Sequence, residues 1–218
     1  MATIDSNLVN GLAALVLLAA FALVASQRMQ TIVRIFALQS LALGLLAASV
    51  AYITGYYHIY VVAALTIILK AFLIPRIITY VMKRIQVTKD VEPSVKTPSS
   101  LLIAGALAVV AYYVTEPLIM VGTSVTKNVL ALSLAVLLIG LFVMITRKKA
   151  ITQVIGLLVM ENGLFMAAIS ITYGMPLIVE LGIFFDVLVA VLIMGVFVFR
   201  IQGTFDTLDT SFLRRLRD

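Results

Sequence analysis

Long apolar runs punctuated by basic turns constrain this chain more than any other feature. Candidate runs cover 6–26, 31–53, 57–82, 100–116, 126–146, 151–173 and 177–201. About 20 apolar residues are needed for a helix to cross the hydrocarbon core. Backbone groups in that core must be satisfied within the segment, which leaves helices as the structure for runs of this kind. The chain is 63% hydrophobic and 12% charged, with mean hydropathy +1.17, against about 25% charged in an ordinary soluble domain. The expected fold is an all-α integral membrane protein of seven transmembrane helices.

The basic residues give this segmentation a polarity. Arg28, Arg34, Lys83, Arg84, Lys89, Lys96, Arg147, Lys148, Lys149, Arg200, Arg214, Arg215 and Arg217 lie at or beside alternate turns and the C-terminal tail. Cytoplasmic loops are enriched in Lys and Arg. With seven spans these segments share one face, so the N-terminus is expected outside and the C-terminus inside. Omitting the short fourth run would place the first two basic segments opposite the last two. The segment 83–99, with Pro93 and Pro98, reads as a cytoplasmic linker. Gly55 and the sequence Gly174-Met175-Pro176 read as hairpin turns. Met1 to Asn7 lacks the basic region of a cleaved signal, so the first run is expected to be retained.

Cysteine is absent and His58 is the one histidine. This excludes thiolate metal sites, iron–sulfur ligation by this chain and a disulfide framework. The net charge of +6, in so apolar a chain, marks membrane faces and not a nucleic-acid partner.

An internal repeat is also visible. A shift of 119 residues carries Arg28 onto Arg147, Ile32 onto Ile151, Leu38 onto Leu157, Gly44 onto Gly163 and Gly55 onto Gly174. A shift of 116 then carries Lys70 onto Asp186 and Arg84-Ile85-Gln86 onto Arg200-Ile201-Gln202. The expected organisation is a three-helix unit at 1–82, the linker 83–99, a connecting helix and loop at 100–125, and a second three-helix unit at 126–218 with its tail. One helix between the copies makes the repeat parallel, unlike the inverted repeats of many transporters.

Charges within the runs carry the chemistry. A charge at mid-bilayer costs about 2.5–3.5 kcal/mol on insertion scales, and such groups face the bundle interior. At about 1.5 Å per residue, Lys70, Glu161 and Asp186 all fall near the midplane. Glu180 is shallower, and Arg76 is nearer the basic face. Hydrocarbon disfavours the charged form of an ionisable group, which allows proton exchange near neutral pH. Glu161, Asp186, Lys70 and Glu180 are therefore candidates for a proton relay. The competing reading is an interhelical ion pair that fixes packing, Lys70 with Asp186 or with Glu161. Asn162 is a candidate for tuning Glu161 or bonding between helices. Arg34 is expected to snorkel. Pro75, beside Arg76, is expected to kink its helix. His58 stands in the cluster Tyr56-Tyr57-His58-Ile59-Tyr60, an interfacial aromatic belt or a proton exit. Asp206, Asp209 and the terminal arginines read as a docking tail or as solubilising charge.

The stretch Arg147–Gln202 resembles the NuoK subunit of respiratory complex I and its antiporter relative MrpC. That plan has a basic turn after the first helix and one Glu in each of the next two. Here Ile155-Gly156-Leu157-Leu158-Val159-Met160 leads into Glu161. The first Glu of that family falls on Leu158, so Glu161 lies one turn later on the same face. The second corresponds to Glu180 or to Asp186. Over its full length the chain is more similar to the hydrogenase-4 component E family (HyfE), on its length, its added N-terminal helices and the phrase Pro176-Leu177-Ile178-Val179-Glu180-Leu181-Gly182-Ile183-Phe184-Phe185-Asp186. The resemblance implies a prokaryotic inner-membrane subunit without a redox centre of its own. It would sit beside antiporter-like subunits of a membrane-bound hydrogenase or related complex I-like assembly. Nickel–iron and iron–sulfur centres would belong to partner subunits, with no cofactor bound here. Proton or sodium translocation would be coupled to electron transfer. The alternatives are a structural scaffold of that membrane arm and a free-standing small transporter.

Overall fold

The computed structural model describes residues 2–84, 95–119 and 127–172. They form α1 (Ala2–Ala25), α2 (Met29–Thr54), α3 (Tyr57–Thr66), a π-helical segment (Ile67–Leu73), α4 (Ile74–Arg84), α5 (Thr97–Ile119), α6 (Lys127–Thr146) and α7 (Ala150–Thr172). Among the described residues there is no strand pairing beyond isolated bridge geometry at Arg28 and Arg147. The α3–π–α4 run is one span, Tyr57–Lys83. Among the described residues six helices are long and apolar enough to cross a membrane, and the expectation of seven is corrected to six. The reason is one segment: the run 177–201, which supplied the seventh, lies outside the described residues. Six spans on from the start of α1, Thr172 lies at the end from which α1 starts, opposite the basic turns.

The run expected at 100–116 is a full helix of 23 residues, Thr97–Ile119. Pro98 sits in its first turn, where a missing N–H costs nothing, so proline there opened the helix and did not delimit it. Gln27 Nε2 donates to Thr97 Oγ1 at 2.9 Å, which sets the start of α5 beside the first basic turn. At the opposite end, Gly55 takes φ +73° and its N–H bonds the Ala51 carbonyl. A left-handed glycine of this kind stops a helix and reverses the chain at no steric cost.

Pro75 perturbs the third span by widening it, not by breaking it. A helix-interior proline lacks a donor and presses on the carbonyl four residues back. Here the π segment ends at Leu73, two residues before it, and the Ile74 N–H reaches back five residues to the Leu69 carbonyl. π-helical insertions concentrate at functional sites, and this one contains Lys70.

The α1–α2 and α6–α7 hairpins pack like on like, α1 against α6 and α2 against α7. Small residues let the backbones approach. A Cβ on Gly140 would collide with Met160 N, one on Gly156 would lie 2.6 Å from Met144 N, and one on Gly163 2.5 Å from Leu137 N. Gly156 and Gly163 are two turns apart on one face of α7. Glu161 lies about 140° round the helix from Gly156, at about 100° per residue. The glycine seam against α6 therefore turns Glu161 toward α2 and the third span. The matched glycines Gly44 and Gly163 have different neighbours, since a Cβ on Gly44 would collide with Ile67 of the third span.

Candidate functional site

Two adjacent residues of α7 carry the site. Glu161 is 5% exposed and Asn162 fully buried. Both sit in a helix whose other neighbours are apolar. Lys70, 2% exposed, enters from the π segment of the third span. Its Nζ lies 2.9 Å from Glu161 Oε1 and donates to Asn162 Oδ1 at 3.4 Å. The Phe165 ring, one turn beyond Glu161, stands 5.8 Å from the ammonium, within the range where an aromatic face attracts a cation.

The network continues into helices that charge alone does not mark. Asn162 Nδ2 donates to Gln39 Oε1 at 3.3 Å and approaches Ser40 Oγ at 3.4 Å. Gln39 Nε2 donates to the Val16 carbonyl of α1 at 3.1 Å. Gln39 and Ser40 are both fully buried. A carboxylate, an ammonium, two amides and a hydroxyl thus join α7, the third span, α2 and α1. Buried polar groups of this kind persist only when partnered. A buried ion pair that loses one member leaves an uncompensated charge, at about 3–5 kcal/mol. Chemically, the group unites an acid–base pair with amides that can reorient as protons shift.

Of the residues expected to act together, the structure joins Lys70, Glu161 and Asn162. Of the two pairings considered for Lys70, it shows the one with Glu161. Arg76 is exposed on α4, 5.6 Å from the Phe72 ring, and His58 is exposed beside Tyr56, ring centroids 5.5 Å apart. Glu180 and Asp186 lie outside the described residues. Gln39 and Ser40 were missed by sequence reasoning. The available signal was a pair of adjacent polar residues at mid-run within Phe36-Ala37-Leu38-Gln39-Ser40-Leu41.

A second buried cation stands apart from this group. Arg147, in the α6–α7 turn, is 4% exposed. Its Nη2 donates to the carbonyls of Val24 at 3.0 Å and Ser26 at 3.2 Å. The last carbonyls of a helix have no intrahelical partner, and a cation there also meets the negative end of the dipole. Arg147 therefore caps α1 as well as marking a membrane face. Desolvation lowers its pKa from the ordinary arginine value, yet a guanidinium keeps its proton at any physiological pH.

Among the described residues no group of three or more His, Cys, Asp or Glu is placed to hold a metal ion.

Fold and site together define a multi-pass membrane protein with a buried lysine–carboxylate pair inside its helix bundle. Comparison with known proteins places it as a distant homologue of Hydrogenase-4 component E. Identity to that protein from Escherichia coli K12 is 26% over 212 residues, covering 97% of this chain and 98% of the relative. The Shigella flexneri protein of that name gives the same figures. An uncharacterized Mycobacterium tuberculosis protein is 43% identical over 130 residues, 60% of this chain and 59% of its own length. This match thus spans less than two thirds of the mycobacterial relative. No family model matches the chain, and no solved structure matches it.

Proposed function

We propose that this chain is a non-catalytic inner-membrane subunit of a hydrogenase-type, complex I-related assembly. In this reading the Lys70–Glu161 pair passes protons within the membrane arm. Near-full-length similarity to Hydrogenase-4 component E supports the class, and the ion pair at 2.9 Å is the observation that carries the mechanism. A proton arriving at Glu161 neutralises the carboxylate and releases Lys70, whose ammonium can then shift toward Asn162. Loss of the proton from Glu161 restores the pair. Gln39 and Asn162 offer donors and acceptors on the side facing α2. Glu180 and Asp186 are proposed as further carriers, and the antiporter-like and metal-bearing subunits as neighbours. Proton transfer suits the site better than sodium, because a sodium ion needs oxygen ligands and the Lys70 ammonium occupies the place beside the carboxylate.

A scaffold role has its own support, since the same network ties four helices together. The two readings separate in vesicles containing the whole complex. Under the relay, Glu161→Gln assembles and lowers proton translocation by roughly a hundredfold, the scale of a positioned proton-transfer group, while electron transfer in the partner subunits persists. Under the scaffold, the variant assembles and pumps at the normal rate.

A further inference from the structure

Away from the buried network, α2 and the third span leave an open groove of about 380 Å³ at the basic end. Its chemistry is graded with depth. Lys83 closes the span Tyr57–Lys83, Arg34 lies about one and a half turns inside the start of α2, and Arg76 is about 10 Å deeper than Lys83 at 1.5 Å per residue. All three are exposed. Ala71 and Phe72 form the deepest part of the wall and are apolar, while Ala37 stands about level with Arg76 and Val33 with Arg34. Arg76 stacks over the Phe72 ring at 5.6 Å, which pins the guanidinium at the boundary between the two zones.

Among the described side chains no carboxylate lies at this groove. Among described side chains the carboxylates are Glu161, paired with Lys70, and Glu116, near the far end of α5. Neither reaches this groove. Three cations spread over about 10 Å from the basic end, with an apolar wall of Ala71 and Phe72 at its deep end, match an amphiphile with an anionic head and an acyl tail. Basic pockets between spanning helices bind anionic headgroups, and Arg presents a fork suited to phosphate.

We propose that this groove is a binding site for one anionic phospholipid, its headgroup held by Arg34, Arg76 and Lys83 and one acyl chain laid along Ala37, Ala71 and Phe72. The occupant is a lipid, since the groove grades from charged to apolar along the membrane normal as a lipid does.

The test places the full-length chain in bilayer discs of equal parts phosphatidylglycerol and phosphatidylethanolamine, followed by native mass spectrometry of the lipid retained. The wild type is expected to keep phosphatidylglycerol selectively. Each cation contributes about fivefold, so the triple variant R34Q/R76Q/K83Q loses on the order of a hundredfold in selectivity. The single variant R34Q, which leaves the helices and the buried network intact, loses about fivefold. K148Q/K149Q, at the α6–α7 turn, retains wild-type selectivity. Equal retention of both lipids by the wild type would overturn the site, as would an unchanged R34Q or an equal loss in K148Q/K149Q. Labelling of the three cations in lipid-containing vesicles gives a further check. Protection that appears only when partner subunits are present assigns the groove to an acidic partner segment and also overturns it.

Discussion

Among the described residues two cations are buried to nearly the same degree, Lys70 at 2% and Arg147 at 4% exposure, and their surroundings differ in kind. Lys70 sits at mid-span against a carboxylate and an amide side chain. Arg147 sits at a helix end against two backbone carbonyls. A carboxylate beside an ammonium is the arrangement on which the proposed proton relay rests. Carbonyls do not titrate and a guanidinium holds its proton, so the Arg147 site is fixed. Burial of charge by itself thus separates nothing; the partner's chemistry distinguishes an exchangeable site from a permanent clasp.

The largest expected effect comes from unbalancing the exchangeable pair. Glu161→Ala or Lys70→Ala alone should destabilise the folded chain by about 3–5 kcal/mol, because the remaining charge is left uncompensated in a dry bundle. The double variant Lys70→Met/Glu161→Leu should recover most of that loss. Thermal unfolding in detergent measures both, and strictly additive losses would refute coupling between the two residues.

Arg147→Ala comes next. It leaves the Val24 and Ser26 carbonyls without that donor, at about 1–3 kcal/mol, and it frees the basic end of α1 for faster amide hydrogen exchange. This contribution should be flat across neutral pH. Burial lowers the folded-state pKa of Arg147, so the folded protein would release that proton first and stability would rise with pH, but only in a window close below the ordinary arginine value. A titration of stability near neutral pH in Arg147→Lys or wild type that traced to this position would contradict the assignment as a permanent clasp.

The smallest effects test how α7 is aimed. Gly163→Ala forces a Cβ to within 2.5 Å of Leu137 N and should cost about 1–3 kcal/mol as the α6–α7 seam opens. Gly11→Ala, where nothing lies within 4 Å of the added atom, should be neutral or slightly stabilising.

The contrast also explains which parts of the site were legible in the sequence. Lys70 and Glu161 declared themselves because a charge in hydrocarbon is costly wherever it points, and counting residues from each helix end put both near one depth. Depth is a single coordinate, however. It left Lys70 with two equal partners, Glu161 and Asp186, because the direction a helix faces depends on packing. Here that direction is set by the glycine seam of Gly140, Gly156 and Gly163, which reads in sequence as ordinary small residues. Gln39 and Ser40 stayed hidden because uncharged polar residues are tolerated in spans, and the π segment because Pro75 predicts a kink and not a change of helical hydrogen bonding. Arg147 was read only as a topology signal, since a basic turn satisfies that rule without any contact. The fourth helix was underestimated because Pro98 looked like a boundary and is a helix start. The expected seventh span, and with it Glu180 and Asp186, falls outside the described residues.

One buried cation is proposed to move protons, and the other holds a helix end. The most direct measurement is the number of protons translocated per electron pair by the whole complex in sealed vesicles, compared between Glu161→Gln and Arg147→Lys at matched assembly. Glu161→Gln is expected to collapse the ratio, and Arg147→Lys to preserve it while lowering thermal stability. A normal ratio in Glu161→Gln, or an equal fall in both variants, would contradict the account.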